Sequence, residues 1–113
     1  MCLLNYPSMK NKKINKEILM AILSVTIQVK NPEKLKEYVS QVPATMKPFG
    51  AKMLARGKVQ TILNGEFQHQ IEAVFEFPSK EAIENWFASD AYQALIPIRE
   101  EAAYMNIAIL ESF

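Results

Sequence analysis

The segment Ile71–Phe77, with what stands on either side of it, most constrains how this chain can fold. Ile71, Ala73, Phe75 and Phe77 alternate with Glu72, Val74 and Glu76, the two-residue period of a strand with one buried face and one more polar face. Upstream, Asn64-Gly65 separates this run from a second apolar-containing run. Both residues tolerate the positive φ of a tight turn, so a hairpin is predicted. Downstream, Pro78 has no amide hydrogen to extend a ladder, and Ser79 is placed to cap a helix. Ala82, Ile83, Trp86 and Phe87 then recur at three and four residues as an apolar stripe, most simply a core face. Ser89-Asp90 repeats the capping chemistry and opens a second helical turn through Tyr92 and Leu95, which Pro97 is expected to kink or restart.

The flanking stretches complete the pattern. A first strand, Ile22 to Val29, places Leu23, Val25, Ile27 and Val29 on one face and Ser24, Thr26 and Gln28 on the other. Asn31-Pro32-Glu33 supplies a cap, a proline at the first helical position and an acid near the positive end of the helix dipole. Leu35, Val39, Val42, Met46 and Phe49 continue as an apolar stripe; Pro43 is expected to bend or split the helix, and Gly50 suits its end. A last strand, Met105 to Glu111, alternates Ile107 and Ile109 with Asn106, Ala108 and Leu110. The order β-α-β-β-α-(α)-β is the split βαβ arrangement of an α+β, ferredoxin-like fold, with helices on one face of a four-stranded antiparallel sheet. The other face would carry Ser24, Thr26, Val74, Glu76, Asn106, Ala108 and Leu110, too apolar for open water. A second copy of the chain is expected to cover it, leaving a lined cavity between the two sheets.

Composition narrows the function classes. A chain of 113 residues that is 50% hydrophobic holds one core and forms one domain. A net charge of +1 with both signs interspersed offers no basic face for nucleic acid. Cys2 is the single cysteine, so no internal disulfide forms, and a cytoplasmic location is expected. Residues 1–19, rich in asparagine and lysine, are expected to be a flexible N-terminal extension to a domain over residues 20–113. Its basic residues followed by Ile18–Leu23 imitate the start of a secretory signal. Ser24, Thr26 and Gln28 interrupt that run, no small-x-small site follows, and it is shorter than the roughly 20 residues of a spanning helix, which favours a strand and no membrane association.

Lys52-Met53-Leu54-Ala55-Arg56-Gly57, Leu63-Asn64-Gly65, Phe75-Glu76-Phe77-Pro78-Ser79, Trp86-Phe87-Ala88-Ser89 and Tyr92 through Arg99 carry a resemblance. Together they are similar to a small bacterial family of unknown function in the dimeric α/β-barrel superfamily. The likeness spans about residues 20 to 112, nearly the whole predicted domain. It implies a ferredoxin-like fold and a homodimer whose sheets meet face to face. Relatives in that superfamily include cofactor-free monooxygenases acting on polycyclic phenols and muconolactone isomerases, so a pocket for a small organic molecule is implied. The chain departs from the family at Thr61 and Asn64, where glutamates are common, and at Lys58, where a second glycine is usual.

Few chemical templates fit. There is no Cys/His cluster for zinc, no glycine-rich phosphate loop and no serine with a His and Asp partner set, so neither metal nor cofactor is expected. His69 reads as a solvated loop residue beside the turn. Arg56 and Glu76 form the better pair. On a shared sheet face they would orient an anionic or phenolic ligand, with Ser24 and Thr26 as further hydrogen-bonding groups. Counting from a two-residue turn puts Arg56 beside Ala73, on the face opposite Glu76, and only a bulge, with Gly57 its natural site, would bring it round. A structural ion pair is the plainer reading of the two charges. Tyr92 and Arg99 would rim the same cavity, or serve packing and a surface or dimer-interface ion pair instead, and the Tyr38 hydroxyl would reach the cavity or simply water. The sequence thus predicts a dimer that binds a small organic molecule, with a cofactor-independent oxygenase or isomerase using Glu76 as base as the alternative.

Overall fold

The computed structural model describes residues 20–111, so the predicted extension over 1–19 lies outside the described residues. Strand β1 (Ala21–Val29) leads into helix α1 (Pro32–Met46), a 3₁₀ turn at Lys47–Phe49 and strand β2 (Lys52–Lys58). Strand β3 (Ile71–Phe77), helices α2 (Lys80–Ala88), α3 (Asp90–Gln93) and α4 (Ile96–Ala102), and strand β4 (Ala103–Leu110) follow. All pairings are antiparallel, and the strand order is β2-β3-β1-β4. This is the ferredoxin-like α+β arrangement read from the element order. The described molecule measures 46 × 37 × 16 Å, a slab one sheet and one helix layer thick. Among the described residues, no helix is long and apolar enough to cross a membrane.

Side-chain alternation builds the core. Leu23 pairs with Phe75 and Ile109, Val25 with Ala73 and Ile107, and Ile27 with Ile71 and Met105, so all of these face the helices. Leu23, Phe77, Ile83, Trp86 and Tyr92 are the largest fully buried side chains. Trp86 anchors α2 on the sheet through the Phe77 ring, 5.7 Å away between centroids. Phe87, read as core from its helical spacing, is instead 36% exposed at the rim.

The helix boundaries follow the capping chemistry. Asn31 accepts from the Glu33 and Lys34 amides, and Ser79 from the Ala82 amide. Ser89 accepts from the Tyr92 amide while its hydroxyl donates to the Trp86 carbonyl, so one serine ends α2 and starts α3. Pro97 restarts the chain as α4. Pro43 does not split α1, which runs unbroken to Met46. A proline removes one hydrogen bond, to the carbonyl four residues back, and here the helix continues past that loss.

The β2–β3 connection differs from a tight two-residue hairpin. The strands end at Lys58 and begin again at Ile71, and residues 59–70 form an irregular loop in which Gly65 takes φ 89. The register nevertheless stays centred on Asn64-Gly65. Lys58 faces Ile71, Gly57 faces Glu72 and Arg56 faces Ala73, and the Val59 amide donates to the Gln70 carbonyl. The irregularity lies between Met53 and Ala55, at Leu54 rather than at Gly57. Its position beyond Arg56 leaves the arginine on the helix face and instead sets Met53 beside Phe75 and Lys52 beside Glu76.

Gly50 closes the α1 segment with φ 78, and a Cβ there would meet Pro78 Cγ at 2.8 Å. Gly57 has nothing within 4 Å of the same position. Gly50→Ala is therefore expected to cost about 1–3 kcal/mol through left-handed strain and overlap, while Gly57→Ala stays within about 0.5 kcal/mol of wild type. Urea melts of the two variants check this, and equal midpoints would contradict it.

Candidate functional site

A cavity of about 530 Å³ lies between α1 and the helix face of the sheet. Leu35, Tyr38, Val39, Val42 and Met46 of α1 form one wall. Ile27, Ile71, Ala73 and Phe75 form the floor, with Trp86 also on the boundary. The α1 residues meet there because spacings of three and four hold them on one helical stripe. The β2 side is open, since every residue of that edge strand is exposed. Met53, Arg56 and Lys58 stand along it, and Lys47 approaches from the end of α1. An apolar interior therefore opens through a cationic mouth, and among the described residues none that lines it is a carboxylate.

Three residues expected to rim a site do come together. Tyr38 and Tyr92 are 6% and 0% exposed. Their hydroxyl oxygens are 2.7 Å apart and their rings meet edge to face at 6.4 Å. Arg99 Nη1 donates to the Tyr92 hydroxyl at 3.0 Å, and Arg99 Nη2 donates to Glu100. Burial, with the electrostatic coupling and hydrogen bond to the Tyr92 hydroxyl, pushes the Tyr38 phenol far above its ordinary range, so it stays protonated. Burial works against the Arg99 cation, but its hydrogen bonds to Tyr92 and Glu100 outweigh that and raise its pKa. The Ser89 double cap places Tyr92, whose ring lies 4.4 Å from that of Trp86.

The remaining predicted residues divide between the two faces of the sheet. Arg56 pairs with Ala73 and lines the cavity mouth, whereas Glu76 pairs with Ile22 and Lys52 on the open face. The bulge at Gly57 that would have brought Arg56 round to the face of Glu76 is absent, so the two lie on opposite faces, as counting from the turn places them. Ser24 and Thr26 also point to the open face, where Asn106 Nδ2 donates to Thr26 Oγ1 at 3.3 Å. Ser24, Thr26 and Glu76 therefore cannot join Tyr38 and Arg56 around one small molecule. His69 stacks on Phe67 and lies 2.7 Å from Glu72, which orders it within the loop.

Two contributors escaped the sequence reading. Lys58 shares the face of Arg56 two residues on, a signal visible in the alternation once the register is known. Thr45 lies on the Tyr38 face of α1, seven residues on, and is 9% exposed. Its hydroxyl accepts from Trp86 Nε1 at 3.0 Å and donates to the Val42 carbonyl at 2.7 Å. A lone threonine in an apolar stripe carries no sequence mark of that bond.

The model of the family described as Domain of unknown function (DUF1330) matches residues 21–113. A protein of unknown function from Rhodopseudomonas palustris is similar in structure, with TM-score 0.75 at 13% identity over 96% of this chain and 94% of that one. A dimeric ferredoxin-like protein of unknown function from Jannaschia sp. CCS1 gives TM-score 0.67 at 11% identity, covering 81% of this chain and 98% of that one. A mutant of a cofactor-independent oxygenase from Streptomyces nogalater gives TM-score 0.61 at 6% identity, over 81% and 91% of the two chains. At these identities the likeness is one of fold. No curated protein matches the sequence.

The Trp86–Thr45 bond holds the inner wall in place. Thr45→Val keeps the shape but leaves the buried indole N–H without an acceptor, and is expected to cost about 1–3 kcal/mol. Thr45→Ser restores the acceptor and recovers most of that loss. Thermal unfolding with tryptophan fluorescence measures both, and a Thr45→Val melt matching wild type would show that the bond contributes nothing.

Proposed function

We propose, for a chain that belongs to the DUF1330 family of domains of unknown function, that it works as a small-molecule-binding protein. Its ligand is a compact, largely apolar organic molecule bearing an anionic or electron-rich oxygen. The observation that carries this reading is the 530 Å³ cavity, apolar within and lined at its mouth by Arg56, Lys58 and Lys47. That volume lies in the range of ligand sites, and apolar walls with a few placed polar groups are their usual construction. The binding site expected between two sheets moves to the helix side of a single sheet. The cofactor-independent enzyme reading loses its proposed base there, because Glu76 stands on the other face of β3 and cannot reach a substrate held under α1.

The open face has its own use in this proposal. Ile22, Val74, Ala108 and Leu110 share it with Ser24 and Thr26, and Leu110 is 49% exposed. Pairing it with the same face of a second copy would bury these groups in a closed homodimer; the similar ferredoxin-like protein from Jannaschia is dimeric, which supports a dimer here. The sites would then lie on the two outer sides of the paired sheets, one under each α1.

Trp86 is the single tryptophan of the sequence and lines the cavity, so it reports occupancy. Titration with 4-butylbenzoate is expected to change its fluorescence saturably, with tighter binding than for the cationic analogue 4-butylbenzyltrimethylammonium. Arg56→Met should weaken the benzoate alone, by about two- to fivefold, as suits an exposed cation. No saturable change with either probe would refute the site. The interface is tested by Val74→Glu, which places like charges across the pairing and should halve the mass seen by light scattering. An unchanged dimer, or a monomeric wild type at micromolar concentration, would refute the interface.

A further inference from the structure

Two phenols and one guanidinium meet beside α1, and following their protons identifies the one left over. A guanidinium only donates, so at 3.0 Å the Tyr92 oxygen accepts from Arg99. The bond between Tyr92 and Tyr38 consumes one of the two hydroxyl protons, and among the described residues the other has no protein acceptor. If Tyr38 were the donor, the spare proton would sit on Tyr92, a fully buried side chain packed against the Trp86 and Phe87 rings. Folded proteins avoid such an unpartnered buried donor. If Tyr92 is the donor, the spare proton belongs to Tyr38, which lines the cavity.

Resting on the binding reading above, we infer that the Tyr38 hydroxyl donates a hydrogen bond to the cavity's occupant. The molecule that fills the cavity then carries a carbonyl, quinone or carboxylate oxygen at this inner end. Bonds running from Arg99 to Tyr92 to Tyr38 all point the same way, and each polarises the next toward the cavity. Tyr38 is 6% exposed, so water competes little for that proton. Burial also holds the phenol protonated, which makes it a donor rather than a base. Tyr92 and Arg99 are positioning residues, acting through Tyr38.

The test compares 4-tert-butylcyclohexanone with its exocyclic-methylene isostere, which has the same shape and no acceptor oxygen, with Trp86 fluorescence as the readout. Wild type is expected to prefer the ketone by about three- to tenfold, the size of one neutral hydrogen bond. Tyr38→Phe should abolish that preference, bringing the ketone to the same affinity as the isostere. Tyr92→Phe should keep or reduce the preference; a rise would mean that Tyr92 normally holds the Tyr38 proton, and would overturn the assignment. Equal binding of both probes to wild type, or a preference surviving in Tyr38→Phe, would overturn it too while leaving the binding reading intact. Binding of neither probe would remove that reading and this assignment with it. If Tyr38→Phe does not fold, the carbonyl stretch of the ketone bound to wild type decides. A shift to lower wavenumber than in hexane is expected, and an unshifted band refutes the bond.

Discussion

A strand shows its side chains to two faces in strict alternation, and the rest of this structure depends on how β1 uses that constraint. Leu23, Val25 and Ile27 face the helices from the centre of the sheet, and β3 and β4 bring their own apolar rows into line on both sides. All the described helices therefore pack on one side, and among the described residues nothing covers the opposite face. The core and the open face follow from the same register. Shifting it by one residue would exchange them, exposing Leu23 and burying Ser24 and Thr26.

The cavity arises where the helix layer does not cover the whole sheet. Helix α1 lies over part of the β1–β3 floor, and the edge strand β2 runs beyond its reach with Met53 and Arg56 exposed. A continuous core would need larger side chains than Ala73 on that floor or a third long helix over β2. What remains is an apolar space with an open side, and the charges at its mouth are ones that stay solvated there. Arg56 and Lys58 need no partner carboxylate, because their side chains reach water along β2.

The polar groups behind the cavity form a separate, buried construction. Ser89 fixes the turn between α2 and α3, and so sets Trp86 and Tyr92 relative to each other. Thr45 holds the indole from α1, and Tyr38 holds Tyr92 from the same face of that helix, seven residues earlier. Each of these hydroxyls lies in a place where an unpaired polar atom would be costly, and each finds a partner. The same bonds that tie α1 to α2 and α3 thus give the inner wall a defined geometry.

The element order, the caps at Asn31, Ser79 and Ser89, the one-sided strands and the hairpin axis at Asn64-Gly65 could all be read from the residues. They rest on local periods and on backbone chemistry that acts within a few positions along the chain. The side chosen by Arg56 follows from the same count, since the register stays centred on Asn64-Gly65 as far as Arg56; what could not be read is the bulge at Leu54, where no local signal such as a glycine marks it. The position of the cavity was equally hidden. Tyr38, Trp86 and Arg56 are far apart in the sequence, and the open volume among them is what remains after helices of given length have settled on a sheet of given width. Alternation along a strand tells which residues share a face; only the packed layers decide which of the two faces holds an empty space.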